Sequence, residues 1–410
     1  MTNPDLVRPE IEAGAPPQAT PVAALSRKQM WRSLGAVIAS AFAAALTFSI
    51  CMPLLALILE RRGTSDVLIG INTAASPAGL LIFTVLMPKI VARIGTMRAL
   101  YLGFILMILS IVLLPVFDNV WLWFPLRFVM GIGIAIHWVV SETWINTLVD
   151  NRIRGRVMGI YVTALSAGSL VGIVTLYLVG SEGSEPFFII AAVLAVGVMP
   201  LVLARDLAPG IAVHNSFGLF AAMKRAPTVM SAALTDGFVL GALFGFFLIY
   251  VQRMGYGEEA ALMMFMVLSV GNAVLQYLVG MLADRVNRRA LLIVFALLVA
   301  GGTALLPFAL EDRVLLWPLL FFWGGIMGGI YTCGLALVGE RFRRDELAAA
   351  NASFIFTYEF GHLLGPAVAG FAMALWDPHG LIAVAVGAGL VFAAVAAIRH
   401  MRWRRYPEAA

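Results

Sequence analysis

Apolar runs of membrane-spanning length recur along this chain from residue 33 to residue 399, with only short polar breaks between them. A helix needs about 20 mostly apolar residues to cross the hydrocarbon core of a bilayer. Stretches such as 34–59 and 290–310 meet that requirement. Inside hydrocarbon each backbone N–H and C=O must find a partner within its own segment, so runs of this length span as α-helices. The 410 residues are 61% hydrophobic and 12% charged, about half the charged fraction of a soluble domain. A water-soluble enzyme is excluded, and the chain reads as an all-α polytopic membrane protein.

Twelve transmembrane helices can be laid down. The first six lie near 33–58, 67–91, 97–117, 121–149, 155–179 and 186–204. The last six lie near 228–252, 259–282, 289–309, 314–339, 347–375 and 380–399. The longest connection, Arg205 to Pro227, carries Asp206, His214, Asn215, Lys224 and Arg225. It divides the expected architecture into two six-helix bundles, 27–205 and 228–400, joined by a central cytoplasmic loop at 206–227. Residues 1–26 are rich in Ala and Pro, carry Asp5, Glu10 and Glu12, and lack an apolar core. They are expected to be a disordered cytoplasmic tail and not a secretory signal. Residues 401–410 are expected to form a second cytoplasmic tail.

Basic residues orient the chain. With both termini on one side, 23 of the 28 Lys and Arg residues fall on that side, including Arg93, Arg285, Arg288 and Arg289. The other side holds Arg61, Arg62, Arg253 and Arg313, while Arg127 falls inside a span. The positive-inside rule makes the richer side cytoplasmic. The expected location is a bacterial inner membrane, with multiple passes and both termini in the cytoplasm.

The two halves also resemble each other. At an offset of 193 residues, Gly168 and Gly172 fall on Gly361 and Gly365, and Pro125 and Gly131 fall on Pro318 and Gly324. Asp66 falls on Glu259 at the same offset, and Arg93 falls on Arg285 within one residue of it. Such duplication points to a transporter architecture of six plus six parallel repeats, with the substrate site at their interface near mid-membrane.

After span eight the chain runs Gly280-Met-Leu-Ala-Asp284-Arg285-Val-Asn287-Arg288-Arg289. This resembles the loop signature of the major facilitator superfamily: Gly, three residues, Asp-Arg, then Gly or Asn before two basic residues. Gly permits close helix approach, and an acidic group is stabilised near a helix N-terminus. The resemblance implies a gating clasp between bundles that holds the outward-open state. The first-half copy keeps Arg93 and Gly95 but has Pro88 and Ala92 where the family has Gly and Asp. A second match, Arg127-Phe-Val-Met-Gly131-Ile-Gly133, resembles the family's Arg-and-Gly pattern in span four. The chain also resembles a bacterial branch of facilitators with poorly defined substrates. The fold so implied places spans one, four, seven and ten around a central cavity.

Ionisable residues inside a span are costly and usually face a cavity or a partner. A carboxyl group whose access to water changes can load and release a proton, so Glu142, Asp236 and Glu359 are the proton-coupling candidates. Arg127, Gly131, Trp138 and Glu142 fall on one stripe of the span-four helix at 100° per residue. Arg127, Trp138, His137, Asn72, Asn272 and Gln276 are candidates for the substrate cavity. His137 lies to one side of that stripe, which suits a hydrogen-bonded histidine. The Gly361-to-Pro366 run, with His362 inside it, resembles a Gly-Pro element that exporters of the family carry in span five.

The expected function is secondary transport of a small molecule by alternating access. Proton-coupled efflux of an amphipathic organic compound is preferred, because the cavity helices are rich in Phe, Trp and Met. Uptake of a polar metabolite with protons or sodium is an alternative, as is a transporter-like scaffold or sensor without transport. Five histidines offer no HExxH-type set, and no GxxxxGK[ST] phosphate loop occurs, so neither an embedded enzyme nor direct ATP drive is expected. Cys51 and Cys333 lie apart within apolar runs and suit packing, not a metal or disulfide. No cofactor and no nucleic acid are expected, and the partners are the solute, the coupling ion and the bilayer around a monomer.

Overall fold

The computed structural model describes residues 26–149, 153–209, 223–342 and 346–405. The expected tail at 1–25, the loop segment 210–222 and residues 406–410 lie outside the described residues.

Twelve long helices follow one another among the described residues, with no strand. They are α1 (Arg27–Arg61), α2 (Asp66–Ile94), α3 (Thr96–Leu113), α4 (Val120–Leu148), α5 (Arg154–Val179) and α6 (Glu185–Leu203), then α7 (Pro227–Arg253), α8 (Glu258–Arg285), α9 (Arg288–Glu311), α10 (Arg313–Arg341), α11 (Leu347–Leu375) and α12 (Gly380–Arg405). Eleven are long and apolar enough to cross a membrane. The remaining helix, α11, has 29 residues, and Tyr358, Glu359 and His362 at its middle lower its hydropathy.

Local chemistry explains several ends. Ser26 and Gln29 form a reciprocal capping box that starts α1 six residues before the expected span, satisfying N–H groups that the first turn leaves orphaned. Asn119, Asn287 and Asp312 accept first-turn N–H groups at α4, α9 and α10. Gly95 joins α2 to α3 with φ +87°, a conformation open to glycine at little cost.

Three helix ends add detail to the expected boundaries. The span expected at 97–117 ends as an α-helix at Leu113 and closes with a 3-10 turn over Leu114–Val116 containing Pro115. The gating signature, expected as a loop, is helical through Gly280 and Asp284 to Arg285, because nothing before Val286 breaks the apolar helix. Helix α12 runs to Arg405, while its membrane-spanning part ends at Met401.

Packing repeats from one half to the other. Helix α1 packs on α4, α5 and α6, α2 on α4, and α3 on α4 and α6; α7 packs on α10, α11 and α12, α8 on α10, and α9 on α10 and α12. Across the halves, α2 lies along α11, α5 meets α8 and α1 faces α7, as a two-fold relation between repeats requires. The glycines that align at 193 residues carry equivalent contacts. A side chain at Gly168 or Gly172 would run into the α1 backbone at Phe42 or Leu46. One at Gly361 or Gly365 would run into the α7 backbone at Leu234 or Phe238. The same small-residue seam is therefore built twice.

Candidate functional site

A cavity of about 260 Å³ lies between the two bundles. Phe48 and Ser49 of α1, His137 and Trp138 of α4, and Tyr161, Ser166 and Ser169 of α5 line it from the first half. Phe244 of α7, Ser269 and Asn272 of α8, Met327 of α10, and Tyr358, Glu359 and His362 of α11 line it from the second. Ser166 and Ser169 align with Glu359 and His362 at the 193-residue offset. The two repeats thus present equivalent wall positions of unlike chemistry, hydroxyl on one side and ionisable on the other.

The three carboxylates chosen as proton carriers come from both bundles. Glu359 is 6% exposed and Asp236 only 3%. Glu142 accepts a 2.8 Å hydrogen bond from Trp138 Nε1, which ties it to a cavity-wall side chain. Tyr358 of α11 lines the cavity with Glu359, and its backbone packs on Gly237, the chain neighbour of Asp236. Tyr331 and Tyr358 pack edge to face at 5.1 Å between centroids. Among the described residues, Asp236 Oδ2 and both ring nitrogens of His362 are buried without a hydrogen-bond partner. The His362 ring instead sits 5.0 Å from Tyr358, 6.4 Å from Phe48 and 6.5 Å from Phe244. Buried polar groups left unpaired carry a free-energy cost, and this cluster concentrates that cost beside the cavity.

Other candidates part company. His137 is held by Ser40 Oγ at 3.1 Å and Ser141 Oγ at 3.4 Å from Nε2, with its ring against Phe104. Asn272 lines the cavity, and its Nδ2 donates to Gly324 O at 3.1 Å. Gln276 donates to Gly325 O and accepts from Thr332 Oγ1 at 2.8 Å, bonds that join α8 to α10. Arg127 and Asn72 are not among the residues that line the cavity. Arg127 is fully buried and donates to Asn72 Oδ1 at 3.1 Å and Met52 Sδ at 3.4 Å. Helix-face arithmetic grouped Arg127 with Trp138, but its long side chain reaches instead between α1 and α2.

The gating residues lie at the basic face, where α1 begins. A side chain at Gly280 would meet nothing within 4 Å, so the close helix approach expected there is absent in this conformation. Arg288 binds within its own half, to Ala283 O at 2.9 Å and to Glu340. Arg93 and Arg285 are exposed, and Arg289 faces Arg341 electrostatically. The side chain of Asp284 lies outside the described residues.

Polar contacts between the bundles collect at the opposite face. Arg253, at the end of α7, forms a two-pronged contact with Glu60 at 3.0 Å and reaches Asp66 at 2.6 and 3.0 Å. It also meets Asp377 at 2.5 Å. Arg61, at the end of α1, approaches Glu258 at 3.6 Å and binds Ser181 Oγ at 2.7 Å. Ser181 donates to Glu258, and Tyr177 donates to Glu259 at 3.1 Å. Sequence reasoning missed this double clasp and the tyrosines Tyr161, Tyr331 and Tyr358. For the clasp, the 193-residue offset was the available signal, since it places Arg253 on Glu60.

The Major Facilitator Superfamily model matches the chain over residues 37–361 and 263–410. The MFS-type transporter YcaD of Shigella flexneri is 27% identical over 331 residues, 80% of this chain and 85% of its own length. YcaD of Escherichia coli matches to the same extent. Among solved structures, a mutant of the nucleoside transporter NupG superposes with a TM-score of 0.73 at 14% identity, covering 90% of this chain and 99% of that one. A bacterial homologue of the human lysosomal transporter Spinster, in an inward-facing and unoccupied conformation, gives 0.69 at 15% identity, covering 91% and 96%. These two likenesses concern the fold. With the repeat, the interfacial cavity and the family match in agreement, the chain belongs to the Major Facilitator Superfamily and is a membrane-spanning transporter of a small molecule, not an enzyme.

Proposed function

We propose that this transporter exports an amphipathic organic solute from the cytoplasm by alternating access, in exchange for protons. The observation that carries the reading is Glu359 in the wall of an apolar, aromatic cavity, with Glu142 bonded to the wall residue Trp138 and Asp236 buried next to Gly237, which packs on Tyr358. Phe48, Trp138, Phe244 and Met327 provide apolar surface for a hydrophobic body, and soft or flat side chains of this kind accommodate varied ligands. Glu359 and Asn272 offer polar contacts that orient its head.

By the positive-inside rule, the basic face is cytoplasmic and the clasped face lies outside, in a bacterial inner membrane. The conformation is then inward-facing. Solute enters from the cytoplasm while the carboxylates release their protons; the clasps at Arg253 and Arg61 then part as the bundles rock. Protons arriving from outside occupy the carboxylates and lower the site's affinity for a cationic or polar head, which releases the solute. Each ligand drives the cycle only through its different affinity for the two states. A single copy of the chain holds every residue that this cycle uses.

The test is solute-induced proton movement in proteoliposomes, over a panel of cationic, neutral and anionic aromatic compounds. At least one compound is expected to move protons in wild type and to fail in Glu142→Gln or Glu359→Gln. Solute movement that depends on sodium and ignores the proton gradient overturns proton coupling, and silence from the whole panel with folded protein overturns the solute class.

A further inference from the structure

We propose that Arg127, Asn72 and Thr73 form a binding site for one carboxylate-sized anion, closed in this conformation and opened when the seam between α2 and α11 parts. The proposal rests on alternating access for its opening but is independent of proton coupling.

Arg127 is fully buried in the first bundle, where an unpaired charge is expensive. Among the described residues its hydrogen-bond partners are neutral: Asn72 Oδ1 at 3.1 Å and Met52 Sδ at 3.4 Å. Three buried donors also lack a partner, namely Arg127 Nε, Nδ2 of its partner Asn72, and Oγ1 of Thr73, the chain neighbour of Asn72. Each of the three can donate a hydrogen bond. A buried cation with an unused donor of its own and another on its partner is the chemistry that binds a halide or a carboxylate.

The second repeat shows that packing does not require the charge. The position equivalent to Arg127 is Leu320, which is equally buried, and the position equivalent to Asn72 is Phe265. Apolar side chains therefore fill the same place in the same fold without penalty.

The location supplies the access route. A Cβ at Gly245 of α7 would lie 3.5 Å from the Thr73 methyl carbon and 3.4 Å from Pro366 Cβ. A side chain at Gly70 would strike Pro366 O, and one at Gly370 would strike Asp66 O. Thr73 thus sits in the seam between the bundles, on the clasped side of His362. Opening that face uncovers the donors to the outer vestibule, so the anion binds the outward-facing state and biases the protein toward it.

The test uses purified full-length protein in detergent with no proton gradient, titrated with sodium chloride or sodium benzoate at ionic strength held constant by methanesulfonate. The thermal transition is expected to rise saturably in wild type with at least one of the two anions. Half-saturation should rise at least tenfold in Arg127→Gln and severalfold in Thr73→Val and Asn72→Leu, which retain the charge. It should fall in Arg253→Ala, where less closure opposes binding. Saturation by chloride assigns the site to a free inorganic ion; saturation by benzoate alone assigns it to the carboxylate of a solute. The absence of a saturable response in both wild type and Arg253→Ala overturns the proposal. Equal responses in wild type and all three site variants overturn it as well.

Discussion

Arg253 and Glu60 hold equivalent positions at the ends of α7 and α1, 193 residues apart, and they pair with each other across the bundle interface at 3.0 Å. The neighbouring contacts are near mirror images. Arg253 reaches Asp66 at the start of α2, and Arg61 reaches Glu258 at the start of α8. A duplicated chain that conserves the two-fold relation brings equivalent helix ends together on its axis. Opposite charges at those ends convert the meeting into a lock.

Removing that lock should shift the conformational balance. The Arg253, Glu60 and Asp66 side chains are 21%, 23% and 10% exposed, between the surface and buried regimes for ion pairs. Arg253→Ala is expected to cost the closed face about 1–2 kcal/mol, about a tenfold shift toward outward-open. Distances between spin labels on Val314 and Leu178 sites, exposed at that face, should lengthen and broaden. An unchanged distribution would show that helix packing alone holds the face shut.

Glycine contacts make a sharper stability prediction. Gly131 and its repeat equivalent Gly324 press on the backbone carbonyls of Ser76 and Leu268, whereas Gly280 has open space. Gly324→Ala should destabilise by about 1–3 kcal/mol through overpacking. Gly280→Ala should be neutral or stabilising by up to about 1 kcal/mol, as expected for a helix interior. Thermal unfolding in detergent separates the two outcomes.

Trp138 links the cavity wall to Glu142, so its ring and its N–H can be tested apart. Trp138→Phe keeps most of the apolar surface and removes the 2.8 Å bond. It should alter the pH profile of transport while leaving the solute KM within about twofold. Trp138→Ala removes both, and KM should rise about tenfold. Identical pH profiles for wild type and Trp138→Phe would separate Glu142 from proton handling.

Much of the fold was legible because hydropathy, caps and duplication are local or periodic signals. Each expected span became a helix, and the glycines aligned at 193 residues acquired matching contacts. Glu359 and Asp236 stood out in the sequence because such residues are costly in a membrane, and both are buried in the fold. Tyr331 and Tyr358 gave no such signal, because a tyrosine inside an apolar run is common and its neighbours come from distant helices. Arg127 was grouped with Trp138 on one helix face, yet its long guanidinium stem reaches Asn72. Arg253 and Glu60 looked like ordinary flanking charges until the tertiary fold joined them.

The central claim is that proton and solute movements are coupled through Glu142, Asp236 and Glu359. The most direct measurement compares solute exchange at equilibrium with uphill transport driven by a pH gradient, in Glu142→Gln, Asp236→Asn, Glu359→Gln and the triple variant. Exchange requires only the loaded half of the cycle, while uphill transport requires the proton half as well. The triple variant should keep exchange within about tenfold of wild type and lose gradient-driven transport. Undiminished uphill transport in the triple variant would contradict the account.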